Sequence, residues 1–211
     1  MAGSSSVLED GSTLSRLDLQ LYKLERVFAL VSGVAVFSLM ILAVVSVGGR
    51  NSMNMPLPGY VDWIEQAMPL IAFMGVSYTQ RDGGHIRMDI LVGKLKGRWL
   101  WMAEFTTCFF MLILMVLLVW GSYSHFLRSF DFAAPLWSRD SSIDIGIPIW
   151  PAKLLAPVAF SLLCVRLCLQ LWGYGRAIGQ NAERPVAVPL VKDAAEQAAE
   201  EARSVSGAEE A

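Results

Sequence analysis

Residues 27–47, VFALVSGVAVFSLMILAVVSV, decide the fold because they form a long apolar run without a charged side chain. A helix of about 20 such residues crosses the ~30 Å hydrocarbon core of a bilayer. Thirteen of these residues are Val, Leu, Ile or Phe, and at roughly 0.3 to 0.6 kcal/mol each they favour insertion by about 4–8 kcal/mol. We therefore predict a membrane-spanning helix here, preceded by a cytoplasmic segment, residues 1–26.

Three further segments have the length and composition of spans: residues 61–79, 100–123 and 149–172. The second span is the least apolar because Asp62 and Glu65 lie in its first turns, where a helix N-terminus favours negative charge. Pro69 predicts a kink within it. Six tryptophans lie at predicted span ends, as expected for aromatic belts at both membrane surfaces: Trp63, Trp99, Trp101, Trp120, Trp150 and Trp172. Residues 27–172 are thus predicted to form an all-α domain of four transmembrane helices.

Composition supports a membrane protein and separates the C-terminal tail from the rest. The chain is 55% hydrophobic and 17% charged, whereas soluble domains are about a quarter charged. A net charge of −2 excludes a strongly basic nucleic-acid-binding protein. Residues 173–211 form the predicted tail, which is acidic and expected to be disordered from about residue 183, because it lacks an apolar face.

Orientation follows from the Lys and Arg residues near the span ends. Ten lie in the N-terminal segment, the 80–99 loop and the early tail, and three lie in the other two loops. The positive-inside rule therefore predicts that both termini and the 80–99 loop are cytoplasmic. Within that loop, a helix from Ile86 would place four apolar residues on one face: Met88, Leu91, Val92 and Leu95. An amphipathic helix in the membrane interface fits this pattern, and a solvated basic hairpin is the alternative.

Four charged residues fall within the predicted spans, where ionisable groups normally face protein partners. Glu65 and Lys153 both lie near the start of their helices on the periplasmic side. Glu104 and Arg166 both lie toward the cytoplasmic side. We predict that at least one of these two pairs is a structural ion pair, the alternative being that each side chain extends separately toward the headgroups.

Motifs of catalysis and cofactor binding are absent from the sequence. It contains no HExxH, CxxC, GxGxxG, GxxxxGK[ST] or GxSxG pattern. The two histidines, His85 and His125, fall at opposite membrane faces in the predicted topology, so they cannot bracket one haem. We therefore expect no enzyme activity, no cofactor and no metal site.

The stretch RDGGHIRMDIL, residues 81–91, follows the second span directly and carries the most specific pattern in the chain. Together with residues upstream, it resembles the small membrane subunit of tripartite ATP-independent periplasmic (TRAP) transporters. The resemblance covers roughly residues 20–180. The matching positions are an Arg closing span one, a Glu and a small residue in span two, and the run after it: Arg50, Glu65, Gly75, Arg81, Gly83, His85, Ile86 and Asp89.

The resemblance implies a scaffold subunit in the bacterial inner membrane. Its partners would be membrane lipids, a large permease subunit that carries the substrate and sodium sites, and a periplasmic protein that delivers a small carboxylate-type solute. His85 and Asp89 are spaced to share a helix face, and Gly83 permits a sharp bend after span two. We expect this run to form a hinge and docking surface.

Two other functions fit a small membrane protein. The small subunit of tripartite tricarboxylate transporters also has four spans, but its pattern lacks the His-Ile-x-x-Asp run. A membrane anchor of a respiratory enzyme would need several histidines at matched depth, which this sequence does not have.

Overall fold

The computed structural model describes residue 7 and residues 10–55, 57–81, 98–180 and 186–188. Its helices are α1 (Thr13–Met53), α2 (Tyr60–Met74), α3 (Val76–Arg81), α4 (Arg98–Ser129) and α5 (Trp150–Gln180), with a short 3-10 helix at Pro135–Trp137. Over these described ranges the chain is mainly helical and has no named β-strand; its isolated bridges include Phe130–Ser138 and Ser141–Pro148 in the connection between α4 and α5. The all-α prediction is confirmed for this part of the chain.

Within the described ranges, three helices, α1, α4 and α5, are long and apolar enough to cross a membrane. Helix α1 begins at Thr13, well before the predicted span, because Ser12 caps it by accepting a hydrogen bond from the backbone N–H of Ser15. None of the most apolar stretch of α1 is buried within the chain. That surface is therefore available to lipid or to another protein.

The second predicted span is interrupted. Its helix runs to Met74, breaks at Gly75 and resumes as α3. Pro69, where the sequence predicts a kink, lies inside α2, and the interruption falls six residues later. The buried side chains of α3, Ser77, Gln80 and Arg81, follow the spacing of one helix face.

Helix α5 is the centre of the bundle, since it contacts α1, α2, α3 and α4, and its most extensive contact is with α4. The main apolar core lies between α4, α5 and the tail. Its buried members are Trp101, Cys108, Leu163, Leu167, Tyr174, Ala177 and Val188.

Val188 belongs to the predicted tail and packs against this core, while the disorder expected from about residue 183 stays a prediction, since most of that stretch lies outside the described residues. Ala187 and Val188 are almost fully buried. These tail residues can pack closely on α5 because Gly173 has no side chain. A Cβ at Gly173 would lie 2.8 Å from Val188 Cγ1 and 2.9 Å from the Val186 carbonyl oxygen. The other tail residues beyond Gln180, and the predicted interfacial helix between spans two and three, lie outside the described residues.

Candidate functional site

Two acids of α1 and two arginines from other helices form a buried cluster, which we call the charge cluster: Asp18, Glu25, Arg81 and Arg166. The guanidinium of Arg166 donates from Nε and Nη2 to the two oxygens of Glu25, at 2.8 and 2.5 Å. Its Nη1 donates to Oδ1 of Asp18. Arg81 donates to the other oxygen of Asp18 from Nη2 at 2.8 Å and from Nε at 3.2 Å.

The charge cluster is balanced, with two carboxylates and two guanidinium groups whose side chains are at most 3% exposed. Planar guanidinium groups suit such sites because they bind carboxylates through two parallel hydrogen bonds. Desolvation offsets much of the attraction in a buried ion pair, so the net stabilisation is small. Removing one member, in contrast, leaves an uncompensated charge and costs about 3–5 kcal/mol. The cluster therefore fixes how α1, α3 and α5 are arranged more than it adds stability.

Neighbouring side chains complete the hydrogen bonding of the charge cluster. The hydroxyl of Ser77 donates to Glu25 Oε1. The guanidinium carbon of Arg81 lies 4.0 Å from the centre of the Tyr22 ring, a cation–π geometry. Tyr22 in turn stacks on Tyr78, with ring centres 5.9 Å apart. Helix α3, which follows the break at Gly75, thus supplies one partner in each of these three contacts.

A second polar layer continues from the charge cluster along α5. Gln170 lies one turn beyond Arg166, accepts from Nε2 of Gln80 at 2.9 Å and donates to the Gln80 carbonyl at 3.3 Å. One turn further, the hydroxyl of Tyr174 donates to Glu104 of α4 at 3.4 Å. The spacing of Arg166, Gln170 and Tyr174 places them in one stripe. Polar contacts therefore connect α5 to α1, α3 and α4.

At the opposite end of the bundle, Asp62 in the first turn of α2 holds the connection between α4 and α5. Its Oδ2 accepts from the Ser142 hydroxyl at 2.7 Å and from the backbone N–H groups of Asp144 and Ile145 at 3.2 and 2.9 Å. Gln66 donates to the carbonyl of Pro148 at 3.0 Å. This helix start therefore orders the segment that precedes α5.

Lys153 of α5 anchors the same connection. It binds Asp140 at 2.9 Å and also donates to the Ser129 hydroxyl. The pKa of Asp140 is lowered, first by the hydrogen bond from Ser129 and then by Lys153.

In the structure, the four charged residues considered for ion pairs within the spans have other surroundings. Arg166 binds Asp18 and Glu25, and Glu104 is instead bonded to Tyr174. Lys153 binds Asp140, while Glu65 is exposed on α2. Asp18 and Glu25 fall in the predicted cytoplasmic segment. Pairing charges of the predicted spans by their depth in the membrane therefore does not find them as partners of Arg166. The sequence signal for their role is the seven-residue spacing of Asp18 and Glu25, which places both acids on one face of a helix.

The remaining predicted site residues are dispersed. Arg50 is exposed in the last turn of α1, Gly75 lies at the helix interruption and Arg81 is in the charge cluster. Gly83, His85, Ile86 and Asp89 lie outside the described residues. Among the described residues, no group of three or more His, Cys, Asp or Glu side chains is close enough to hold a metal ion.

Comparison with known families identifies the chain over most of its length. The family model described as tripartite ATP-independent periplasmic transporters, DctQ component, matches residues 21–175. A comparison with curated proteins found no match. The matched range includes Glu25, Arg81 and Arg166, and it supports the resemblance to TRAP transporters over the two other functions considered for the sequence.

Proposed function

Because the chain belongs to the DctQ family of tripartite ATP-independent periplasmic transporters, we propose that it is the scaffold for the large permease subunit of such a transporter. The complex would take up a small carboxylate-type solute, driven by sodium, from a periplasmic binding protein. The substrate and sodium sites belong to the large subunit in this proposal. The chain itself performs no chemical reaction in this role.

The proposed topology has four spans in a bacterial inner membrane, with both termini in the cytoplasm. Helices α2 and α3, with Gly75 between them, extend from Tyr60 to Arg81, which is enough residues for the ~30 Å hydrocarbon core. They would form the second span, beside α1, α4 and α5. The excess of Lys and Arg on one side, ten against three, supports the orientation.

The observation that carries the scaffold proposal is the charge cluster. It joins α1, α3 and α5 through five charge-assisted hydrogen bonds between buried groups. Sliding one of these helices past another would separate guanidinium from carboxylate groups inside the bundle, at a cost of several kcal/mol. Such a bundle suits the stationary part of a transporter.

The motif after α3 would be the docking element. Arg81, the last residue of α3, is fixed by Asp18 and so sets where the following segment starts. We propose that Gly83 bends the chain there, and that His85, Ile86 and Asp89 lie on an interfacial helix that contacts the large subunit. Arg50 and Glu65, exposed on α1 and α2, would add contacts from the spans.

Co-purification with the large permease subunit tests this function. The chain carries the affinity tag, both subunits are produced together, and the amount of permease retained is measured. We expect a complex with the unchanged chain and a reduced yield with His85→Ala and with Asp89→Ala. Arg203→Ala, which lies beyond the residues that match the family, is the control and should retain the permease fully. A folded chain that retains no permease would refute the proposal.

A further inference from the structure

The connection between α4 and α5 begins with an ordered lobe, residues 130–139, which we call the aromatic lobe. The backbone N–H of Asp131 donates to the Trp137 carbonyl at 3.1 Å, and that of Arg139 donates to the Ser129 carbonyl at 2.9 Å. An antiparallel bridge joins Phe130 to Ser138. These contacts fix the lobe in one conformation.

Large apolar side chains project from the aromatic lobe. Phe132 is 79% exposed, Leu136 70% and Trp137 54%. Leu136 and Trp137 also have positive φ angles, 54° and 56°, a left-handed conformation that costs a non-glycine residue roughly 1–2 kcal/mol. Strained backbone of this kind persists where its surroundings fix it, and it is concentrated at functional positions. Here the Leu136 carbonyl accepts a hydrogen bond from Nε1 of Trp150 at 3.0 Å.

The exposed rings are continuous with the ends of two membrane-spanning helices. Trp150 is the first residue of α5, and its ring centre lies 5.4 Å from that of Phe130 and 6.4 Å from that of Trp137. Phe132 contacts Phe130 with ring centres 4.8 Å apart. Phe126 of α4 completes the group, 5.2 Å from Phe130. The lobe therefore lies at the level where α4 ends and α5 begins.

The two acids in and beside the aromatic lobe, Asp131 and Asp140, are each paired with a cation. The carboxylate of Asp131 is paired with Arg139 at 3.0 Å, and that of Asp140 with Lys153 at 2.9 Å. The side chain of Arg139 remains 59% exposed and can meet phosphate groups. Neither acid therefore opposes approach to a membrane surface.

We propose that the aromatic lobe inserts into the boundary between lipid headgroups and acyl chains and anchors this end of the bundle in the membrane. Phe132, Leu136 and Trp137 would contact the upper acyl chains, and Arg139 would contact lipid phosphate. Aromatic side chains are enriched at this depth because they combine an apolar body with polar edges. The inference requires a membrane-embedded chain but not the transporter role.

Spin-label depth measurements on the purified chain in lipid nanodiscs test the proposal. A nitroxide is attached at Phe132→Cys in a Cys164→Ala, Cys168→Ala background, in which the remaining Cys108 is buried. Leu117→Cys, on the exposed face of α4, is the control for the hydrocarbon core, and Asp144→Cys, exposed in the next part of the connection, is the control for water. Accessibility to oxygen and to a water-soluble nickel chelate gives the depth of each label.

We expect the label at residue 132 to lie about 5–10 Å below the phosphates, deeper than the label at 144 and shallower than that at 117. A label at 132 as accessible to the nickel chelate as the one at 144 would overturn the proposal. Protection that appears only after the large subunit is added would overturn it too, because the lobe would then be a protein contact. Neither result depends on whether transport occurs.

Discussion

Arg166 of α5 and Glu25 of α1 form a bidentate ion pair, with Nε and Nη2 of the arginine 2.8 and 2.5 Å from the two carboxylate oxygens. Neither side chain is exposed. The pair joins residues 141 positions apart in the sequence, so it forms only when the first and last long helices pack together. Asp18 and Arg81 extend it to a third helix.

Replacing Arg166 by Gln should destabilise the bundle by about 3–5 kcal/mol, because Glu25 and one oxygen of Asp18 would remain buried without a cation. The measurement is thermal or denaturant unfolding in detergent. Arg128→Gln, which removes an exposed arginine from α4, is the matched control and should change stability little. Adding Glu25→Gln to Arg166→Gln should recover part of the loss, since Asp18 and Arg81 then balance. Equal stability of the single and double variants would contradict the cluster's role.

Gly173 should not tolerate even a small side chain. In Gly173→Ala the new Cβ would meet Val188 Cγ1 at 2.8 Å and the Val186 carbonyl at 2.9 Å, so the tail must move, at a cost of about 1–3 kcal/mol. Limited proteolysis should then cut near residues 186–188 sooner than in the unchanged chain. Gly179→Ala is the control, because a Cβ there meets nothing within 4 Å. Identical digestion of both variants would show that the tail does not pack on Gly173.

Asp62 should protect the backbone that leads into α5. Its Oδ2 accepts from the N–H groups of Asp144 and Ile145, and hydrogen bonds to a charged acceptor contribute about 1.5–3 kcal/mol. In Asp62→Ala we therefore expect hydrogen exchange over residues 142–145 to be faster by about tenfold or more. The control is Asp131→Ala, which removes an acid from the aromatic lobe and not from the segment that Asp62 contacts. Unchanged exchange in Asp62→Ala would contradict the contact.

The contribution of the Asp140 carboxylate to the stability of the folded chain should be lost only at acidic pH. Its pKa is lowered from 3.8 by the hydrogen bond from Ser129 and by Lys153, so folding favours the ionised form. That stabilisation is complete above pH 3.8 and disappears as the pH falls through the lowered pKa. The difference in melting temperature between the unchanged chain and Asp140→Asn should thus persist down to pH 5 and shrink below 3.8. A difference that already shrinks near pH 6 would contradict this assignment.

The sequence predicts the apolar helices well because lipid requires a long uncharged run, a property of each segment alone. The prediction for residues 27–47 lies within α1, and those for 100–123 and 149–172 overlap α4 and α5 closely. The break at Gly75 was not predicted, although a glycine inside a helix is a signal for a weak point because it is less favourable there than alanine.

The ion pairs could not be read from local patterns, because Asp18 meets Arg166 across 148 residues. Pairing the charges by membrane depth did not find these acids for a physical reason. Helix α1 begins before its apolar run, so Asp18 and Glu25 lie on the helix and are buried in the bundle. Asp62 was correctly placed in the first turn of a helix, but its role is a tertiary contact with residues 142–145.

The proposed function requires the α2 and α3 segment to cross the membrane, and paired reporter fusions measure this directly. A reporter that is active only in the cytoplasm and one that is active only in the periplasm are each fused after Lys96 and after Arg139. Four spans predict that the cytoplasmic reporter works after Lys96 and the periplasmic reporter works after Arg139. Periplasmic activity after Lys96 would mean that residues 60–81 stay on one side, which would contradict both the topology and the docking surface proposed for His85 and Asp89.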